Sequence, residues 1–174
     1  MIQERADARD MFAVHTMFRR EYGMMPDLVR AVTAGDRERV TVVADHIALM
    51  NRVLHGHHTG EDEHIWPLLL ERVEAGLAPV VSMMEDQHER IHAGYKRLDL
   101  ALAAWRESAS AQDRDAVAEV LDRLLPLMTE HLALEEARVV PPDLRPIIRD
   151  VATAAYATYA QKVYGSAVPP RVLA

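Results

Sequence analysis

Residues 80–107 read VVSMMEDQHERIHAGYKRLDLALAAWRE, and the apolar members of that stretch recur at three- and four-residue spacing, the signature of a helix with one buried face. Three other long stretches, at about 6–33, 37–64 and 113–139, repeat the pattern. The composition agrees. Hydrophobic residues make up 49% of the 174-residue chain, weighted to Ala, Leu, Val and Met, while seven Gly and two Phe leave little material for sheet. No stretch has the period-two alternation of a strand.

The punctuation sets the boundaries. Ala34-Gly35 closes the first helix, because glycine takes the left-handed conformation at a helix end, and Asp36 caps the second. Trp66-Pro67 interrupts the second helix near 64, since proline has no N–H to donate, with a short continuation to about Glu74. Gly76 and Pro79 lead into the third helix, and Ser108 to Asp113 supplies N-caps for the fourth. Pro26 and Pro126 fall inside helices, where each predicts a kink. Pro141-Pro142 ends the fourth helix, and a weaker one spans about 143–163 before a tail with Val168-Pro169-Pro170. The fold class expected is all-α: an antiparallel up-and-down four-helix bundle over 1–140, with a C-terminal extension, 141–174, holding a short extra helix and the tail.

Several function classes drop out early. A net charge of -7 leaves no basic stripe for nucleic acid. No window approaches the apolar length of a membrane span, and the charged start Met1-Ile2-Gln3-Glu4-Arg5-Ala6-Asp7 is unlike a signal peptide, so a soluble cytoplasmic protein is expected. Cysteine is absent, which removes thiolates and disulfides. Any metal must be held by His, Asp, Glu or Tyr.

The nine histidines carry the chemistry. Residues four apart share a helix face about 6 Å apart along the axis, so a histidine and a carboxylate at that spacing can reach one metal site. His57 with Glu61, His88 with His92 and His131 with Glu135 have this spacing on the second, third and fourth helices, and the first contributes His15. One such pair is expected by chance. Seven ionisable groups converging from four helices without a cation would carry a severe desolvation cost. Imidazole with carboxylate suits iron, manganese or zinc, and seven ligands suit two ions with bridging carboxylates better than one.

Taken in order, His15, then His57-His58-Thr59-Gly60-Glu61-Asp62-Glu63-His64-Ile65-Trp66-Pro67, then His88-Glu89-Arg90-Ile91-His92, then His131-Leu132-Ala133-Leu134-Glu135-Glu136, the chain resembles the hemerythrin-like HHE cation-binding proteins over about residues 8–140. The resemblance implies two non-haem iron ions, one on His88, His92 and His131 and the other on His15 and His57. Glu61 and Glu135 would bridge them with a solvent-derived oxo or hydroxo group. It also implies an open position for dioxygen, peroxide or nitric oxide, serving a carrier or an enzyme.

Some choices stay open on the sequence. Marine oxygen carriers of this kind space the last carboxylate to select Glu136, whereas the HHE pattern selects Glu135. His58 with Asp62 is an alternative register to His57 with Glu61. His64 shares the face of His57 and Glu61 and is either a hydrogen-bond partner of a ligand or a surface residue. His46 lies about 16 Å from His57 by helical rise, which suits a hydrogen bond between helices. His55 points away from the His57 face. Tyr22 and Tyr95 are either near the metal or core tyrosines with satisfied hydroxyls, and Met11, Phe12, Phe18 and Met84 form an apolar wall. A rival reading takes Glu61 with His64 and Glu85 with His88 as the two Glu-x-x-His motifs of a ferritin-like carboxylate di-iron oxidase. That site needs a lone Glu from each remaining helix, where this chain offers His15 and the His131 motif. A metal-free helical interaction module is the third reading.

Overall fold

The computed structural model describes residues 9–72, 75–139 and 145–164. Its helices are α1 (Arg9–Arg30), α2 (Arg37–Gly60), α3 (Trp66–Leu70), α4 (Ala78–Ser108), α5 (Ala111–Arg138) and α6 (Arg145–Tyr164). A π-helical turn, Glu61–Ile65, joins α2 to α3, and a 3-10 turn, Ala75–Leu77, precedes α4. Packing of α1 on α2 and α5, and of α4 on the same two helices, closes the four long elements into a ring. The architecture is an all-α antiparallel bundle with a further helix at its C-terminal end. The chain start before Arg9, Glu74, the Pro141-Pro142 stop and the tail lie outside the described residues.

The turns at one end of the bundle are tied together. Gly35, at φ 86°, takes the left-handed conformation, and its N–H donates to the Ala109 carbonyl at 2.8 Å. Asp36 caps α2 by accepting from the Arg39 N–H at 3.0 Å, and Ser110 caps α5 by accepting from the Asp113 N–H at 3.1 Å. Pro26 and Pro126 both sit inside continuous helices, α1 and α5. At Gly94 the absence of a side chain matters for packing, since a Cβ there would lie 2.7 Å from Leu124 Cδ1 of α5.

The interruption expected at Trp66-Pro67 falls one turn earlier. Pro67 has no N–H for the Glu63 carbonyl, yet it sits in the first turn of α3, where no such bond is required. The adjustment is made upstream, where the Trp66 N–H bonds to the Glu61 carbonyl, five residues back. Such π-turns often occur at functional sites, because they re-aim side chains without ending the helix.

Two apolar clusters fill the bundle. One runs from Val32, Val40 and Trp105 to Phe18, Leu54, Ile91 and Leu132; the other gathers Trp66, Leu69, Val81, Met84, Val139 and Ile148. Helix α6 covers this second end, packing on α3 and the π-turn. On α1, α4 and α5, and on the path from α2 through the π-turn to α3, histidine or glutamate lies near the place where one cluster gives way to the other. Buried apolar layers above and below therefore seal a polar layer between them.

Candidate metal centre

That layer contains His15, His58, Glu61, His88, His131 and Glu135, all buried, and His57, whose side chain keeps 16% of its exposure. The side chains fall into two groups. His58, His88 and His131 form one, and His15, His57, Glu61 and Glu135 form the other; within each, the ligand atoms lie within 4.8 Å of one another. The adjacent residues His57 and His58 serve different groups because successive helical residues point about 100° apart. One faces α1, the other α4 and α5.

The carboxylates stand between the groups. Glu61 places Oε1 3.2 Å from His57 Nε2 and Oε2 3.6 Å from His88 Nε2. Glu135 Oε2 is 3.3 Å from His15 Nε2 and 3.6 Å from His131 Nε2. Imidazole nitrogens also face each other directly, His57 Nε2 to His15 Nε2 at 3.3 Å and His88 Nε2 to His131 Nε2 at 3.2 Å. Lone pairs converge without protons enough to join them.

Hydrogen-bond satisfaction tests whether a cation fits. Both oxygens of Glu61, both oxygens of Glu135 and Nε2 of His58 are buried with no hydrogen-bond partner. Each buried unsatisfied group costs about 1–3 kcal/mol, and more when charged. A divalent cation in each group would satisfy these atoms together, with the hard oxygen and borderline nitrogen donors that such ions take. The donor chemistry of the residues fits cation binding.

Electrostatics point the same way. Burial pushes His57 and His131 down to about 4, and it pushes His58 well below its ordinary value, with the neighbouring histidines adding to the shift. These rings are neutral at neutral pH, the form that binds metal. Burial and the adjacent Glu135 push Glu61 well above the usual carboxylate range. Burial also opposes ionisation of Glu135, and the neighbouring imidazoles, His15 first and then His57 and His131, lower it wherever they carry charge.

An outer set of residues fixes the tautomers. His15 Nδ1 donates to Glu136 Oε1 at 3.0 Å, and Arg19 Nη1 donates to the same oxygen at 2.7 Å. His88 Nδ1 donates to Asp62 Oδ1 at 2.7 Å, which also accepts from Trp66 Nε1 at 3.1 Å, and His131 Nδ1 donates to Gln87 Oε1 at 3.0 Å. With the proton held on Nδ1, each ring turns the lone pair of Nε2 inward. Phe18 closes the side next to His57, its ring centroid 5.4 Å away.

The structure brings together six of the seven residues expected from the sequence: His15, His57, Glu61, His88, His131 and Glu135. His92 belongs to neither group, and His58 stands in the histidine trio. The buried stripe of α4 runs through Met84, His88, Ile91, Tyr95 and Leu98, and His92 lies at its edge, half exposed. There its Nδ1 meets the Tyr95 hydroxyl at 2.6 Å, with His55 Nδ1 on the same hydroxyl at 2.8 Å. Burial, with Lys96 and His55, lowers its pKa.

The other open choices resolve as geometry. Glu136 bonds to the back of His15 while Glu135 faces inward, and Asp62 supports His88 instead of pairing with His58. His64 is half-buried, 3.8 Å from Glu63, and lies in neither group. Glu85 is exposed, so the two Glu-x-x-His motifs of the ferritin-like reading do not converge. His46 pairs with Glu21 of α1 at 3.1 Å, and the Tyr22 hydroxyl donates to Asn51 at 3.0 Å. The sequence offered His58 only as an alternative to His57, whereas the structure uses both, one in each group; the His57-His58 doublet just before Glu61 was the available signal.

An all-α bundle sealing a two-group layer of imidazole and carboxylate defines a cation-binding helical protein. The chain matches the family described as Hemerythrin HHE cation binding domain over residues 7–142, and it belongs to that family. No curated protein and no solved structure matches it. Among the described residues, no helix is long and apolar enough to cross a membrane.

Proposed function

We propose that this chain holds two non-haem iron ions in the buried layer and uses them to bind or consume a small oxygen- or nitrogen-containing molecule: dioxygen, peroxide or nitric oxide. The observation that carries this reading is the pair of unpartnered carboxylates, Glu61 and Glu135, each within 3.6 Å of imidazole nitrogens from both groups. A carboxylate so placed suits a bridge between two ions. His58, His88 and His131 would hold one ion and His15 and His57 the other.

The bound ions would supply redox capacity and an exchangeable coordination position. Such a position would fall on the side of His15 and His57, where two imidazoles stand against three in the other group. The protein's own contribution is threefold. Glu136, Asp62 and Gln87 hold protons on the outer ring nitrogens, the two apolar clusters limit bulk water, and the Phe18 ring walls the less saturated side.

The test combines loading with reactivity. Protein reconstituted anaerobically with ferrous iron is expected to hold about two ions per chain, the number two separate ligand groups accommodate. It is then expected to change its near-ultraviolet and visible spectrum on admission of dioxygen, peroxide or nitric oxide. Two bound ions with no spectral change in any of the three would overturn the small-ligand reading while leaving the cation site standing.

A further inference from the structure

Sealing the layer creates a problem, because a hydrated divalent cation cannot cross an apolar wall without losing its water uncompensated. A passage must offer replacement donors in sequence. Between α2 and α4 lies a cavity of about 390 Å³ whose lining includes His58 and His88 of the centre together with His55, Glu89, His92 and Tyr95. His55 and Glu89 are exposed and His92 half exposed, while His58 and His88 are buried. The cavity thus runs from solvent-facing imidazoles to metal-facing ones. Asp62 also lines it, bonded to the back of His88.

We propose that His55 and His92, oriented by Tyr95, form a transient docking site for a divalent cation on its way through this cavity into the buried layer. The inference rests on the two-ion reading of that layer. Hydrogen-bond chemistry explains why the site is a stepping stone and not a third permanent position. The Tyr95 hydroxyl has one proton, and it touches Nδ1 of both rings, at 2.8 and 2.6 Å. It can donate to at most one ring, so at least one ring donates its Nδ1–H to the hydroxyl. Only the ring protonated at Nδ1 leaves a free lone pair, on Nε2. Burial and Asp99 push the phenol up to about 12, so it stays protonated and adds no anionic ligand. One neutral imidazole, helped by the Glu89 carboxylate, holds a cation loosely and releases it inward, where two carboxylates and further imidazoles hold it better.

His57 is also partly exposed, but the Phe18 ring beside it offers no donor. The α2–α4 cavity supplies imidazole and carboxylate along its length, with Lys96 as a cation on the same wall.

A way in alters rates in both directions equally and leaves the final occupancy alone. The experiment loads the full-length apo chain anaerobically with ferrous iron alone, and separately with cobalt(II) alone, following uptake by stopped-flow absorbance and release to excess chelator. The double variant His55→Ala/His92→Ala is expected to reach the same two ions per chain as the unaltered protein. Its uptake and release should both slow by about tenfold, the low end of what a concentrating cleft adds to an on-rate. Ala93→Leu, which narrows the same cavity and leaves every histidine in place, should slow both steps too. His46→Ala, whose histidine pairs with Glu21 away from the cavity, should change neither. Unchanged rates in both cavity variants would overturn the proposal. So would loss of an ion at equilibrium in the double variant, which would make His55 or His92 a permanent ligand. Failure of the unaltered chain to take up either ion would remove the buried centre, and the route with it.

Discussion

Two clusters of imidazole lie one helical turn apart on α2 and α4, and they differ in what they lack. In the outer one, exposed His55 and half-exposed His92 share the hydroxyl of buried Tyr95, which meets Nδ1 of both rings. In the inner one, two carboxylates and His58 are buried with ring and carboxylate lone pairs facing inward and no hydrogen bonds to close them. The residue types are nearly the same. Unspent hydrogen-bonding capacity in a sealed layer distinguishes a lasting cation site from a satisfied polar cluster, and histidine spacing by itself does not.

The sharpest way to break this comparison is to remove a bridging carboxylate. Glu135→Ala is expected to abolish binding of both ions, since Glu135 Oε2 approaches His15 of one group and His131 of the other. Elemental analysis after ferrous reconstitution checks it, with circular dichroism to confirm retained helix. Two ions per chain in that variant would reduce the carboxylate to a structural role.

Smaller in effect, but more discriminating, is a contrast of neighbours. His58→Ala should lose one ion, and His92→Ala should keep both at equilibrium. The opposite pattern would move the ligand set towards the i, i+4 spacing of α4 and away from the doublet on α2.

That contrast also marks the limit of what the sequence discloses. The four helices and the pairing of His57 with Glu61 and of His131 with Glu135 on one face follow from three- and four-residue spacing, because each depends on the local period of one helix, while the cap at Asp36 follows from residue type. His92 does not, because its position at the edge of the stripe is decided by how α4 packs on α2 and α5. The displaced break has a similar origin: Pro67 signals an interruption, but only the packed structure shows that the turn from Glu61 to Ile65 absorbs it. Gln87 and Asp62 were equally hidden, since each serves a histidine on a different helix.

Those two supporting residues predict an intermediate effect. Gln87→Ala takes the acceptor from His131 Nδ1 and frees that ring to change tautomer, and a loss of about 10- to 100-fold in metal affinity is expected. Competition with a chromophoric chelator measures it. Wild-type affinity in the variant would make the Gln87 contact incidental.

Acid provides the mildest probe. Without metal, His57 and His131 are depressed to about 4 and His58 is lowered as well, whereas the unfolded chain regains the ordinary value of about 6.5. The unfolded state therefore takes up protons first as pH falls, and stability drains from about 6.5 down to about 4. Glu61, pushed upward, acts in the opposite sense but is outnumbered. The unfolding free energy of the apo-protein, from urea titration, should drop between pH 7 and pH 5 by up to about 1.4 kcal/mol per pH unit for each net imidazole, and the urea midpoint with it. The loaded protein should resist over the same range, because bound cations keep the rings deprotonated. Equal midpoints at pH 7 and pH 5 for the apo-protein would show that these rings are not buried neutral.

The most direct test of the two-ion layer is a crystal structure of the iron-loaded chain with anomalous scattering recorded at the iron edge. Two peaks are expected, one among His58, His88 and His131 and the other against His15 and His57, with Glu61 and Glu135 between them. A single peak, or a peak ligated by His92 in place of His58, would contradict the account.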